Sequence, residues 1–224
     1  MTVFALPDLD LKTDDIAKKL RTDITTIDRL VKSLIEVIDI EAAYGICYLD
    51  KKEEEAVTVA GVRFVSRVLA RNLAEIGKVV PFVLTLGKGV DGLIDGTTDI
   101  LEKYLLDEIG NIALRKSRQQ FEKHLLQKFA FNNISCMSPG SLQDWPIGEQ
   151  KKLFALLNAV ESAFSVRLTD SCLMIPRKSI SGIYFPSEVT FYSCQLCPRE
   201  DCESRKARYD EAKARDYGIQ DPPH

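Results

Sequence analysis

The sequence predicts an α+β fold, with mixed helices packed on a largely antiparallel, twisted sheet. Three observations carry this expectation. Apolar residues recur at helical spacing in several separate stretches, short β-branched and aromatic runs lie between them, and two of those runs flank the charged turn Asp50–Glu55 as in a hairpin. With 224 residues, 45% apolar and 28% charged, the chain can bury a substantial core and has the composition of a globular protein.

Met1–Leu11 shows little periodicity and reads as an extended arm. Thr13 is the candidate N-cap of a short helix through Leu20, with Asp14 and Asp15 suited to its positive end. Thr25 is the candidate cap of a second helix, whose buried face is Ile27, Leu30, Val31, Leu34, Ile35 and Ile38. Ala42–Leu49 and Ala56–Ala60 read as strands. Phe64, Val65, Val68, Leu69, Leu73 and Ile76 mark a helix stopped by Gly77. Val79–Leu86 is a buried strand with Pro81 near its start, where a missing donor costs least. The Gly87-Lys88-Gly89 that follows lacks the third glycine of a dinucleotide pattern and reads as a tight turn. Asp91–Lys128 is expected to be helical, with Leu101, Leu105, Ile109, Ile112, Phe121 and Leu125 inside. Gly110 in its middle marks a kink or close packing.

Ala130–Met137 reads as a strand leading into Ser138-Pro139-Gly140. There Pro139 fixes a torsion, and Gly140 permits positive φ and close approach of the backbone to a ligand; alone, the tripeptide is a type II turn. Asp144-Trp145-Pro146 opens a helix with the core stripe Leu153, Phe154, Leu156, Leu157, Val160 and Phe164. Leu168–Pro176 and Ile180–Phe185 return to strand character. Tyr184, beside Gly182, suits either core filling or a ligand wall. After Cys202 the charged chain reads as helix to about Asp216, with a loose end over Gly218–His224. The expected organisation is a helical segment over 1–40, an α+β core over 41–192 and a Cys-rich, charged tail over 193–224.

A net charge of -3 gives no reason to expect nucleic acid as partner. No apolar run is long enough to span a bilayer, and Met1–Asp10 lacks the features of a signal peptide, so a cytoplasmic protein without a membrane partner is expected. His124 and His224 are the only histidines, which leaves His-dependent acid–base catalysis little support. In a reducing compartment the six cysteines are thiols or metal ligands rather than disulfides. Cys194, Cys197 and Cys202 sit among charges at spacings that allow one metal to be shared. The Cys197-Pro198 step suits an iron–sulfur cluster, zinc is the competing metal, and three unligated thiols are the third reading. Cys136, Cys172 or an exchangeable ligand would complete the set.

Pro139-Gly140, the helix bearing Leu153-Phe154 and Leu156-Leu157, then Leu168-Thr169-Asp170-Ser171, Met174-x-Pro176 and Ser179-x-Ser181-Gly182-x-Tyr184-Phe185 follow one another in an order and spacing that resembles the activation domain of cobalamin-dependent methionine synthase. The segment Phe82–Gly87 and the long helix with Gly110 are similar to small stand-alone proteins of that family. The resemblance implies a mixed α+β fold that binds S-adenosylmethionine and takes part in the reductive methylation of an oxidised corrinoid. It also implies a ligand site at Cys136, Ser138, Pro139, Gly140, Ser141 and Tyr184. Gly140 and Tyr184 keep the family's residues, whereas Cys136 stands in place of its arginine and Ser141 in place of its loop tyrosine. The family's helix glutamate aligns near Arg115.

The function implied is corrinoid reactivation or handling for a corrinoid-dependent methyltransferase system, with a corrinoid protein or methyltransferase as partner. A redox-active cluster on the Cys tail would then supply the electron. The alternative is a non-catalytic interaction module with a degenerate pocket and a zinc clip on the tail. A third reading keeps the pocket for a ligand less anionic than an amino acid.

Overall fold

The computed structural model describes residues 1–6, 9–157, 164, 166–202 and 205–219. Its centre is β6 (Lys78–Thr85), buried at every position after the first. One edge of β6 pairs antiparallel with β10 (Ser179–Pro186), placing Gly182 opposite Phe82 and Tyr184 opposite Val80. Its other edge pairs with β2 (Glu41–Tyr44) and with the start of β3 (Cys47–Lys52). The sheet continues outward from β2 to β1 (Thr2–Ala5), from β3 to β4 (Ala56–Val59) and β5 (Val62–Val65), and from β10 to β7 (Ile134–Met137). Each of these pairings is antiparallel. A small hairpin of β8 (Arg167–Leu168) and β9 (Met174–Ile175) precedes β10. The fold class is therefore the expected α+β.

Helices cover both faces. On one lie α1 (Thr13–Leu20), α2 (Ile24–Val37), α4 (Lys88–Gly96) and the 30-residue α5 (Ile100–Phe129), whose Phe121 and Leu125 pack on Phe82 and Tyr184. On the other, α3 (Arg67–Asn72) packs with Trp145, Leu153 of α6 (Gln150–Leu156), Phe185 and, from the C-terminal α7 (Glu211–Asp216), Ala214. Trp145 and Phe64 meet edge to face at 5.9 Å.

Several element boundaries differ from expectation for identifiable reasons. The strand expected over Ala42–Leu49 breaks at Gly45-Ile46, where the Gly45 amide bonds Pro81 O at 3.2 Å and the chain passes from β2 to β3. Phe64 and Val65 belong to β5, because the Ser66 hydroxyl accepts from Leu69 N at 2.9 Å and starts α3 there. Asp23 rather than Thr25 caps α2, and Lys12 rather than Thr13 holds the cap position of α1. The helix expected over Asp91–Lys128 is two helices. Asp99 accepts from Glu102 N at 2.9 Å and opens α5, while Thr97 closes α4 through a bond from its hydroxyl to Leu93 O. This break puts Leu101, expected inside, at 62% exposure beside Ile100 and Tyr104.

Gly110 marks close packing. A Cβ there would lie 3.1 Å from Lys178 Cε, and the buried Lys178 ammonium reaches Asp107 at 2.8 Å and Asn111 at 2.7 Å. Gly87-Lys88-Gly89, expected as a tight turn, is instead the start of α4, with Gly87 at its cap position (φ +82°); Gly87 and Gly89 press against Asp39 and Val37, with no room for a side chain at Gly89. Over residues 193–219 the tail is docked. Leu196 and Ala214 are buried with Phe185, Tyr217 stacks on Phe191 at 5.9 Å, and among the described residues after Cys202 only Glu211–Asp216 is helical. The expected core residue Val160 and the chain end after Ile219 lie outside the described residues.

Candidate functional site

Strand alternation decides what the sheet edge presents to α5. Cys136 pairs with Tyr184 across β7 and β10, so both side chains fall on the face that α5 covers, while Met137, Ile183 and Phe185 point to the opposite core. Tyr184 is 1% exposed and packs 4.5 Å from the Phe82 ring. Its hydroxyl donates to Glu122 Oε1 at 2.9 Å and accepts from Arg118 Nε at 3.1 Å. The same Arg118 Nε lies 3.0 Å from Glu122 Oε1 one turn along α5. Only Nε of the guanidinium is engaged; its two terminal nitrogens have no hydrogen-bond partner among the described residues. About a quarter of each of these two charged side chains is exposed.

These four residues polarise one another. Burial disfavours the Arg118 charge, but the Glu122 carboxylate and the hydrogen bond to Tyr184 outweigh it and hold the guanidinium protonated. Burial pushes the Cys136 thiol up, with Arg118 opposing, and burial pushes the Tyr184 hydroxyl well up. At neutral pH the cluster is the Arg118–Glu122 ion pair beside a neutral thiol and a neutral phenol, with the terminal guanidinium nitrogens turned to no acceptor among the described residues. That arrangement can orient an anionic group.

The loop residues expected at this site bond to one another and to neighbouring backbone, with Gly140 and Ser141 exposed. Ser138 Oγ donates to Ser181 O at 2.7 Å, and Ser141 donates to Ser138 O from both its amide and its hydroxyl. Gly140 adopts φ +82° and bonds Trp145 O at 2.7 Å, and a Cβ there would meet Ile147 at 3.0 Å. Pro139 is buried between them. Gly182 has no space for a side chain, since its Cβ would fall 2.6 Å from Met137 O and 2.7 Å from Ser138 Oγ. The structure thus gathers Cys136 and Tyr184 on one face and gives the turn a packing role that locks β7 against β10.

Arg118 and Glu122 were missed from the sequence. Both sit within one turn of the apolar Phe121, and that flanking position was the available signal. Arg115, the position to which the family's glutamate was assigned, lies one turn earlier in a cleft against α1.

The expected metal centre is not assembled. Among the described residues no group of three or more His, Cys, Asp or Glu side chains is placed to hold a metal ion, and Cys194, Cys197 and Cys202 are not brought together as iron–sulfur or zinc ligands. Arg205 organises this loop instead. Its terminal nitrogens donate to the carbonyls of Cys194, Cys197, Arg199 and Ala207, and the Lys206 amide lies 3.4 Å from Cys194 Sγ. The holding role expected of a zinc clip falls to a guanidinium and to apolar packing. No helix among the described residues is long and apolar enough to cross a membrane.

Residues 117–210 match the family model of the vitamin B12 dependent methionine synthase activation domain. Among solved structures, the reactivation domain of MetH bound to AdoHcy superposes with a TM-score of 0.50 at 15% identity, covering 80% of this chain and 67% of that one. No curated protein matches the sequence. Over residues 117–210 the chain is thus similar to the methionine synthase activation domain, and the structural neighbour shares its fold.

Proposed function

We propose that the protein acts in reactivation or handling of a corrinoid cofactor for a corrinoid-dependent methyltransferase, with S-adenosylmethionine as the ligand of the Cys136–Tyr184 site. The single observation that carries the reading is Arg118. Where the resemblance lost an arginine at Cys136, α5 supplies one beside the same thiol, its two terminal nitrogens without a hydrogen-bond partner among the described residues. A guanidinium with two free nitrogens suits a carboxylate such as that of a methionine moiety. Glu122, already bonded to Tyr184, is the acidic group available to a sulfonium or ammonium. This favours an anionic group in the ligand over the less anionic one expected from Cys136 and Ser141.

The matching family and the AdoHcy held by the structural neighbour support the same ligand class. In the proposed reaction the methyl group leaves the sulfonium for a reduced corrinoid carried by a partner protein, and S-adenosylhomocysteine remains. Reduction of the oxidised corrinoid takes one electron from a separate one-electron carrier protein. This chain's residues bind and orient the methyl donor; the corrinoid supplies the nucleophilic metal.

The test is to mix the protein anaerobically with an oxidised corrinoid protein, a one-electron reductant and S-adenosylmethionine, and to follow the visible spectrum of the corrinoid. Return of the methylated spectrum only when both this protein and S-adenosylmethionine are present is expected. Equal recovery with and without the protein would overturn the proposal.

A further inference from the structure

The cleft between α1 and α5 has no place in the reading above. It encloses about 290 Å³ and is lined by Lys12, Lys19, Arg115 and Lys116 over a floor of Ile16 and Ile112, with Asp15 the one carboxylate. Elsewhere on this surface arginines find acids, as in Arg29–Glu102, Arg63–Glu53 and Arg71–Asp216. In the cleft no carboxylate of the described residues lies within ion-pair distance of the four cations. Lys116 donates to Asp10 O, and half-buried Arg115 has no hydrogen-bond partner among the described residues. The cap residue of α1 is Lys12, which offers its first-turn amides no side-chain acceptor.

Four like charges around one concavity repel each other, the more so in a partly desolvated cleft, and this on a chain whose net charge is -3. A bound counter-anion removes that repulsion and supplies acceptors for the Arg115 fork. We propose that the cleft is a binding site for a small phosphorylated anion, of pyrophosphate size, with Ile16 and Ile112 as the apolar floor for whatever carries the phosphates. The concave shape and small volume fit phosphate groups better than carboxylates spread over an acidic protein surface. The inference stands apart from the Arg118 site and does not depend on its ligand.

The experiment is a calorimetric titration of the full chain with inorganic pyrophosphate and, separately, with a nucleoside diphosphate, at constant ionic strength. The expected result is saturable one-to-one binding, weakened about tenfold or more by Arg115→Ala and by the exposed pair Lys12→Ala/Lys19→Ala, and unchanged by Arg118→Gln. Tighter binding of the nucleoside diphosphate would identify a nucleotide as the source of the phosphates, and equal binding a free phosphate compound. Absence of saturable binding by either probe, or binding that all of these substitutions leave untouched, would overturn the proposal. The Lys12/Lys19 pair lies at the surface and keeps the test decisive if Arg115→Ala impairs folding.

Discussion

Arg118 and Arg205 each stand among cysteines, and they are used in opposite ways. Arg205 places its terminal nitrogens on four backbone carbonyls and holds the Cys194–Cys202 loop in shape, so its donors are engaged. Arg118 is fixed by one nitrogen to Tyr184 and Glu122 and leaves the other two unused beside Cys136. The first is a structural staple on the surface of the tail. The second is a preorganised donor pair on a rigid helix, held by a buried tyrosine. Residue type alone does not separate these roles; the number of unsatisfied donors does.

The comparison predicts its largest stability effect at the staple. Arg205→Ala should destabilise the protein by about 2–3 kcal/mol in urea unfolding, because four carbonyls lose a charged donor, and should speed thiol labelling of Cys194 and Cys197. Unchanged stability would mean that packing of Leu196 and Ala214 alone holds the tail. Tyr184→Phe should cost about 1–2 kcal/mol, since it removes the hydroxyl that joins Arg118 to Glu122 within an otherwise intact core. A neutral outcome would show that Arg118 and Glu122 hold their geometry without it.

A subtler difference concerns the thiols. Burial raises the Cys136 pKa, so at pH 7.5 it should react with iodoacetamide at least about tenfold more slowly than exposed Cys202, and should gain rate as pH rises. Equal rates would place Cys136 in solvent and remove the basis of the site. The smallest effect is expected at His124, just past Glu122 on α5. His124 accepts from Tyr44 OH at 2.9 Å while Lys128 donates to the same oxygen at 2.7 Å, and burial, then Lys128, lowers the His124 pKa. The folded pKa lies below the unfolded one, so this stabilisation is complete above about pH 6.5 and lost as pH falls through the lower folded value. His124→Gln should flatten that part of the stability–pH curve, which urea unfolding between pH 5 and pH 8 would register.

Much of the fold was legible because periodicity is a strong signal where one face is fully buried. The Ile27–Leu34 face of α2, the β6 run and the Leu105–Leu125 side of α5 were read correctly for that reason. Boundaries set by one hydroxyl or carboxylate were not legible. Ser66, Asp23 and Asp99 each moved a helix start, and the Asp99 cap turned Leu101 outward. Cys136 and Tyr184 were named together because the motif series fixed their register, and the sheet does pair them on one face. Arg118 and Glu122 were not, because a polar run such as Arg115–Gln120 gives no cue to which of its charges faces a strand distant in sequence. The Cys194–Cys202 spacing suggested a metal, but local spacing says nothing of where the side chains point once Arg205 has gathered the carbonyls.

The most direct test of the central claim is calorimetric titration of S-adenosylhomocysteine into the wild-type protein and into Arg118→Gln. Saturable one-to-one binding by the wild type, weakened about tenfold or more in Arg118→Gln with both proteins folded at the titration temperature, is the predicted result. Equal affinity in the two proteins, or no binding by the wild type, would contradict Arg118 as the anchor and with it the assignment of the Cys136–Tyr184 face as the methyl-donor site.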